Sequence, residues 1–131
     1  MLFRSSKATS APLAGAIDRM EAAAGEFARA RNSALTRGVS LETQRATNAA
    51  LMRVERAMTR PAGLRTRPWY RNLIYVADED NGYSTMVFPS INEALRAKDA
   101  GLAARELEDL VSRFDAATAA LKEATRLVQA R

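Results

Sequence analysis

Side chains able to do chemistry are scarce in this sequence, and most of them are carboxylates. The chain has no histidine and no cysteine, which removes the commonest general base, the commonest zinc ligand and all thiolate or disulfide chemistry. A metal site would have to be built from carboxylates, a donor set suited to calcium or magnesium rather than zinc. A serine or threonine nucleophile would need a carboxylate or lysine as its base, and no G-x-S-x-G, P-loop or G-x-G-x-x-G occurs. Two acidic groups stand out. Glu106, Glu108 and Asp109 lie at consecutive or near-consecutive helical positions that face different ways, so they read as a solvated helix face. Asp78, Glu79, Asp80, Asn81 and Gly82 superficially suggest a calcium loop, but the D-x-D/N-x-D/N-G spacing and its closing glutamate are missing. A polar loop is the simpler reading, and an enzyme acting alone is not supported.

The other chemically suggestive group is basic. Net charge is +5, and lysine appears only at Lys7, Lys98 and Lys122, so the positive charge is mostly arginine. Arg53, Arg56, Arg60, Arg65, Arg67 and Arg71 form the densest run, with Trp69 and Tyr70 interleaved. Arginine beside aromatics fits phosphate contact and base stacking. The competing reading is that Trp69 and Tyr70, next to prolines, pin a loop to the helices, and that the charge reflects composition alone.

The elements that must position these residues follow from periodicity. At 131 residues, 47% hydrophobic and 27% charged, the chain fits one globular domain with a single core. Leu13, Ile17, Met20, Ala24, Phe27 and Leu35 recur at helical steps, with Pro12 in the first turn and Gly38 at the end. Ser40 is a good N-cap for a second helix with Thr47, Ala50, Leu51, Val54 and Met58 inside, stopped by Pro61 and Gly63. Ser90-Ile91-Asn92-Glu93 reads as a capping box opening a short helix that halts near Gly101. The last helix, about 102–129, carries Leu107, Leu110, Val111, Phe114, Ala117, Leu121 and Val128 inward. The expected fold is all-α and four-helix-bundle-like, with three long helices and one short. Residues 1–10 are expected to form a flexible N-terminus and 11–131 the helical domain.

Residues 64–89 break the helical pattern. They hold the only tryptophan and all three tyrosines, with a β-favouring run Leu73-Ile74-Tyr75-Val76 and then the polar 78–82 stretch. A long irregular connection between the second and third helices of a small domain is uncommon and often functional.

The residues RPWYRNLIYVADEDNGYSTMVFPSINEAL resemble the C-terminal region of glutamate carboxypeptidase II and its relatives, with its R-P-F/W-Y-R stretch, I-Y pair, N-x-Y loop and F-P-x-I. The upstream LMRVERAMTRPAGLRTRP is similar to the helix that leads into that stretch. The resemblance is specific between about Leu51 and Leu95. It implies a transferrin receptor-like dimerisation domain, a helical bundle that follows a zinc-dependent exopeptidase domain in the whole protein. Zinc and the catalytic residues would belong to that upstream domain, so no cofactor and no catalytic residue is expected in this one.

Two roles follow from the resemblance. The helices would pair with a second subunit as a homodimer. The Asn81-Gly82-Tyr83 loop would reach a neighbouring peptidase active site, where Tyr83 hydrogen-bonds the C-terminal carboxylate of a peptide substrate; a tyrosine covering the edge of the bundle is the alternative. Glutamate-selective members carry lysine where Gly82 stands. Glycine supplies no cation, and Asp78, Glu79 and Asp80 repel a glutamate side chain, so a neutral or basic terminal residue is expected instead. The reading from a different class is a free-standing basic helical module that binds nucleic acid or another protein. As given, the sequence shows neither an export signal nor a membrane-spanning run, so no membrane partner is expected. The compartment is left open, periplasmic or secreted if the parent peptidase is exported.

Overall fold

The computed structural model describes residues 3–130, with side chains from Ser10 onward. The chain order is α1 (Phe3–Arg37), α2 (Leu41–Ala57), β1 (Tyr75–Ala77), β2 (Thr85–Val87), α3 (Pro89–Arg96) and α4 (Ala100–Gln129). The fold is therefore all-α as expected, with three long helices and one short, and a two-stranded sheet inside the long connection. None of the described helices is long and apolar enough to cross a membrane. The chain divides into two compact units, and α1 and α4 each contribute to both. Of the segment 1–10 expected to be flexible, residues 1 and 2 and the side chains up to Thr9 lie outside the described residues.

The unit formed by residues 14–57 and 113–131 is a three-helix assembly. Its core is Ala23, Phe27, Ala30, Ala34, Ala50, Leu121, Ala124 and Val128, with Met20, Val39, Leu51, Val54 and Leu127 packed against it. Alanines spaced seven and four apart on α1 form a narrow apolar seam, and Phe27 supplies the bulk. The expected inner face is thus rotated in part. Ala24 and Leu35 point outward, and the small residues Ala23, Ala30 and Ala34 hold the buried positions. Gly38, at φ +86°, ends α1 in the left-handed conformation that glycine adopts without steric cost. Ser40 then caps α2, its Oγ accepting from Thr43 N at 3.1 Å. Arg19 to Asp115 (2.9 Å) and Arg37 to the Val128 carbonyl (3.1 Å) tie α1 to α4.

The other unit, residues 1–13 and 58–112, is built around the irregular connection. After α2 the chain turns at Pro61-Ala62 and pairs with the segment before β1 through Arg60 N to Arg71 O, Leu64 N to Tyr70 O and Leu73 N to Met58 O. Leu64, Leu73 and Leu110 are the most deeply buried large side chains of this unit. Gly63 permits this close approach. Its φ is +70°, and a Cβ there would lie 2.0 Å from the Pro68 carbonyl oxygen. β1 and β2 pair antiparallel in the register Tyr75↔Val87, Val76↔Met86, Ala77↔Thr85. Val76 and Met86 point into the core, while Tyr75 and Val87 face outward.

Three local expectations are corrected here. α1 begins at Phe3, so Pro12 lies inside the helix, where it has no N–H to give the Ala8 carbonyl. The capping box does not form. Pro89 takes the first helical position with Phe88 as N-cap in the left-handed region (φ 47°), which puts Ser90 inside the helix with a buried hydroxyl that has no partner among the described residues. Gly101 lies in the first turn of α4 rather than ending α3. That break falls at Lys98 (φ 56°), and Asp99 caps α4 through Leu102 N at 2.9 Å.

Candidate functional site

The hairpin loop 78–84 is short and fully cross-tied. Asp78 Oδ1 accepts from Asp80 N (2.9 Å) and Asn81 N (3.3 Å), the local turn that aspartate favours. Asp78 N donates to Ser84 O and Ser84 N to Asn81 O, both at 2.9 Å. Asn81 Oδ1 accepts from Tyr83 N (3.1 Å), and its Nδ2 donates to Ser84 Oγ (3.0 Å). Asn81 is thus the internal brace of the loop. Tyr83 is held with its side chain wholly in solvent, at 104% relative exposure. A Cβ at Gly82 would meet nothing within 4 Å.

Two arginines fasten the loop and its stem. Arg96, at the end of α3, reaches Asp78 (Nη2 to Oδ2, 2.8 Å), Glu79 (3.3 Å) and Asp80 (3.3 Å). Its guanidinium hydrogen bond holds the Asp78 carboxyl well below the usual carboxylate range, and Asp78 in turn raises Arg96. One cation among three carboxylates leaves the loop acidic, but less so than the sequence alone suggests. Beneath it, Arg67 donates from Nε (2.8 Å) and Nη2 (2.6 Å) to the buried Glu93 and from Nη1 to the Ala77 carbonyl at the end of β1 (2.7 Å). Its guanidinium also lies 4.9 Å from the centre of the Tyr70 ring. Thr66 Oγ1 gives Glu93 its remaining bond at 2.6 Å.

Beside the loop lies a shallow concavity of about 480 Å³, lined by Trp69, Tyr70, Arg71, Tyr75, Gly82 and Tyr83 among others. Trp69 is 71% exposed and Tyr75 59%. Trp69 therefore does not pin the loop to the helices, as its neighbourhood of prolines suggested; the pinning falls to Leu64, Leu73 and Arg67. Trp69, Tyr75 and Tyr83 are thus exposed round one hollow rather than scattered.

The remaining charged residues resolve differently from expectation. Glu106 is buried rather than solvated, and its carboxylate takes Arg60 at 2.6 Å, with Asp109 at 3.3 Å from the same guanidinium. Arg60 and Arg67 are thus committed to internal carboxylates, which thins the basic run that suggested nucleic acid. Among the described residues no group of three acidic, histidine or cysteine side chains is arranged to hold a metal ion. The sequence signal for these ion pairs was absent because the partners are 26 and 46 positions apart.

Comparison with known proteins decides the family. Residues 9–122 match the transferrin receptor-like dimerisation domain. This chain belongs to that family. A similar relative is a probable glutamate carboxypeptidase, LAMP1, of Arabidopsis thaliana, 42% identical over 48 residues. That match covers 37% of this chain and 7% of the relative, so this chain corresponds to a small part of the relative's length. Within this transferrin receptor-like dimerisation domain, the tied hairpin with its exposed tyrosine is the feature that departs most from a plain helical assembly.

Proposed function

We propose that this chain serves as the non-catalytic helical domain of a glutamate carboxypeptidase-like zinc peptidase, forming a homodimer and lending the 78–84 loop to the peptidase active site. The observation that carries this reading is Tyr83, a fully exposed phenol on a loop braced by six internal hydrogen bonds and clamped by Arg96. A loop that served only to connect β1 to β2 would not need this bracing, and an unburied tyrosine contributes nothing to the core. A preorganised phenol is a good donor to a carboxylate because its ordering entropy is already spent. Asn81 acts by fixing the Tyr83 backbone, and Gly82 leaves open the space where a side chain would select the substrate.

Zinc and the catalytic groups would be supplied by the peptidase domain. The test is steady-state kinetics on the longest reading frame that contains this chain. Tyr83→Phe should raise KM for peptides with a free C-terminus while leaving KM for C-terminally amidated peptides unchanged. Equal kinetics for the variant and the parent on free-carboxylate peptides would refute the loop role.

A further inference from the structure

The three-helix unit leaves one apolar face without a partner among the described residues, and that face has a direction. On α2, Leu41, Arg45, Asn48 and Met52 follow at steps of four, three and four, so they share one outward stripe. Leu41 is 60% and Met52 55% exposed, and Leu35 of α1 is 70% exposed. Alongside runs a groove of about 440 Å³ between α1 and α2, with Phe27, Leu35, Val39, Leu51 and Val128 among its lining residues. Thr47 also lines it. That side chain is 5% exposed, and its hydroxyl has no hydrogen-bond partner among the described residues. A buried hydroxyl without a partner costs free energy unless something completes its bonding.

We propose that this face is the homodimer contact, and that a second copy of this chain lays its α2 antiparallel on the first. This rests on the homodimer reading and goes beyond it by naming the face and the orientation. The orientation follows from the stripe. Parallel pairing stacks Arg45 on Arg45, two like charges at one level. Antiparallel pairing sets Leu41 of one copy against Met52 of the other and Arg45 against the Asn48 amide, so apolar meets apolar and a cation meets an acceptor. The same patch then serves both subunits, as a two-fold interface requires. The groove beside the stripe, lined by Phe27, Leu35, Val39 and Leu51, extends the apolar face that the copy would cover.

The test is sedimentation and light scattering of this 131-residue chain. The parent should be dimeric. Met52→Glu should raise the dimer Kd by about thirtyfold or more, the size expected for an interface anchor, while circular dichroism shows unchanged helicity. The double variant Leu41→Asp with Met52→Lys should recover dimers, because only the antiparallel arrangement brings the acid against the base. Leu95→Asp, in the other unit, should have no effect. A monomeric parent would overturn the homodimer reading and this inference with it. A dimer indifferent to Met52→Glu, or one broken by Leu95→Asp, would overturn the face alone, and a double variant that stays monomeric would overturn the orientation.

Discussion

Removing the Arg67 guanidinium, as in Arg67→Met, tests how the loop is held. Arg67 and Glu93 are 12% and 7% exposed at the side chain, with the shortest contact at 2.6 Å, so neither charge keeps much water. Truncating one member of such a pair strands the other, a loss of about 3–5 kcal/mol. Thr66 alone remains to solvate the carboxylate. At about 2.1 cal/mol/K per residue, 131 residues convert each kcal/mol into a fall in Tm of about 4 °C, so the loss is about 11–18 °C. Removing both charges, Arg67→Met with Glu93→Leu, should cost far less, about 1–2 kcal/mol, since nothing charged is left buried. The double variant should therefore lose about 2–3 kcal/mol less than Arg67→Met alone, and the pair should be strongly non-additive in a double-mutant cycle measured by urea denaturation followed at 222 nm. Amide exchange at Tyr83 and Ser84 should quicken in both variants, because the Arg67 bond to the Ala77 carbonyl is gone from each. A single-variant loss under 1 kcal/mol, or additive behaviour of the pair, would refute the reasoning.

Ser90→Ala should leave stability unchanged or raise it by up to about 1 kcal/mol in denaturant titration, since the hydroxyl is buried without a partner among the described residues; a capping serine would instead lose about 1 kcal/mol. Gly63→Ala should be among the most damaging single substitutions, costing about 3 kcal/mol or more in the same titration, because the positive φ and the Pro68 carbonyl both oppose a Cβ. The Asp78 carboxyl is depressed by Arg96, so the clamp contributes fully above the ordinary aspartate pKa and is lost only as pH falls through the lowered value; exchange at Asn81 and Tyr83 should stay slow at pH 4 in the parent and be fast in Arg96→Met. Gly82→Lys meets no steric obstacle and, in a full-length peptidase, should raise the preference for terminal glutamate over leucine about tenfold or more in kcat/KM.

Much of the fold was legible because helices announce themselves by period. The stripes on α2 and α4 came through, and so did the Ser40 cap and the position of the irregular segment. The failures share a physical cause. A capping box is a four-residue signal, but whether it forms depends on where the helix starts, and Pro89 with left-handed Phe88 starts it at a place that moves Ser90 inside. Glu93 was then free to serve Arg67. Trp69 and Glu106 were misjudged in opposite directions for one reason. Burial is decided by residues far along the chain, and nothing near Glu106 in sequence signals Arg60. In the candidate site, Asn81, Gly82 and Tyr83 were singled out only through resemblance, whereas nothing in the sequence showed that Arg67 and Arg96 stiffen the loop.

That stiffness bears on selectivity. The expectation of a neutral or basic terminal residue rested partly on three uncompensated acids, and Arg96 now sits among them with its shortest contact on Asp78. Asp80, 83% exposed at the side chain and 3.3 Å from the guanidinium, is the carboxylate most open to a ligand, since Asp78 is largely sheltered and Glu79 partly so. A single exposed carboxylate in water discriminates weakly, whereas the aromatic hollow beside Tyr83 offers apolar surface whose burial contributes about 25 cal/mol per Å². Under the proposed loop role, the neutral side of the neutral-or-basic expectation would then be favoured. In a full-length peptidase, Asp80→Asn should change the ratio of kcat/KM for terminal lysine over leucine less than threefold, while Trp69→Ala should lower the rate on leucine more than on alanine. A loss of lysine cleavage in Asp80→Asn with no effect of Trp69→Ala would restore the electrostatic account and remove the hollow from the site.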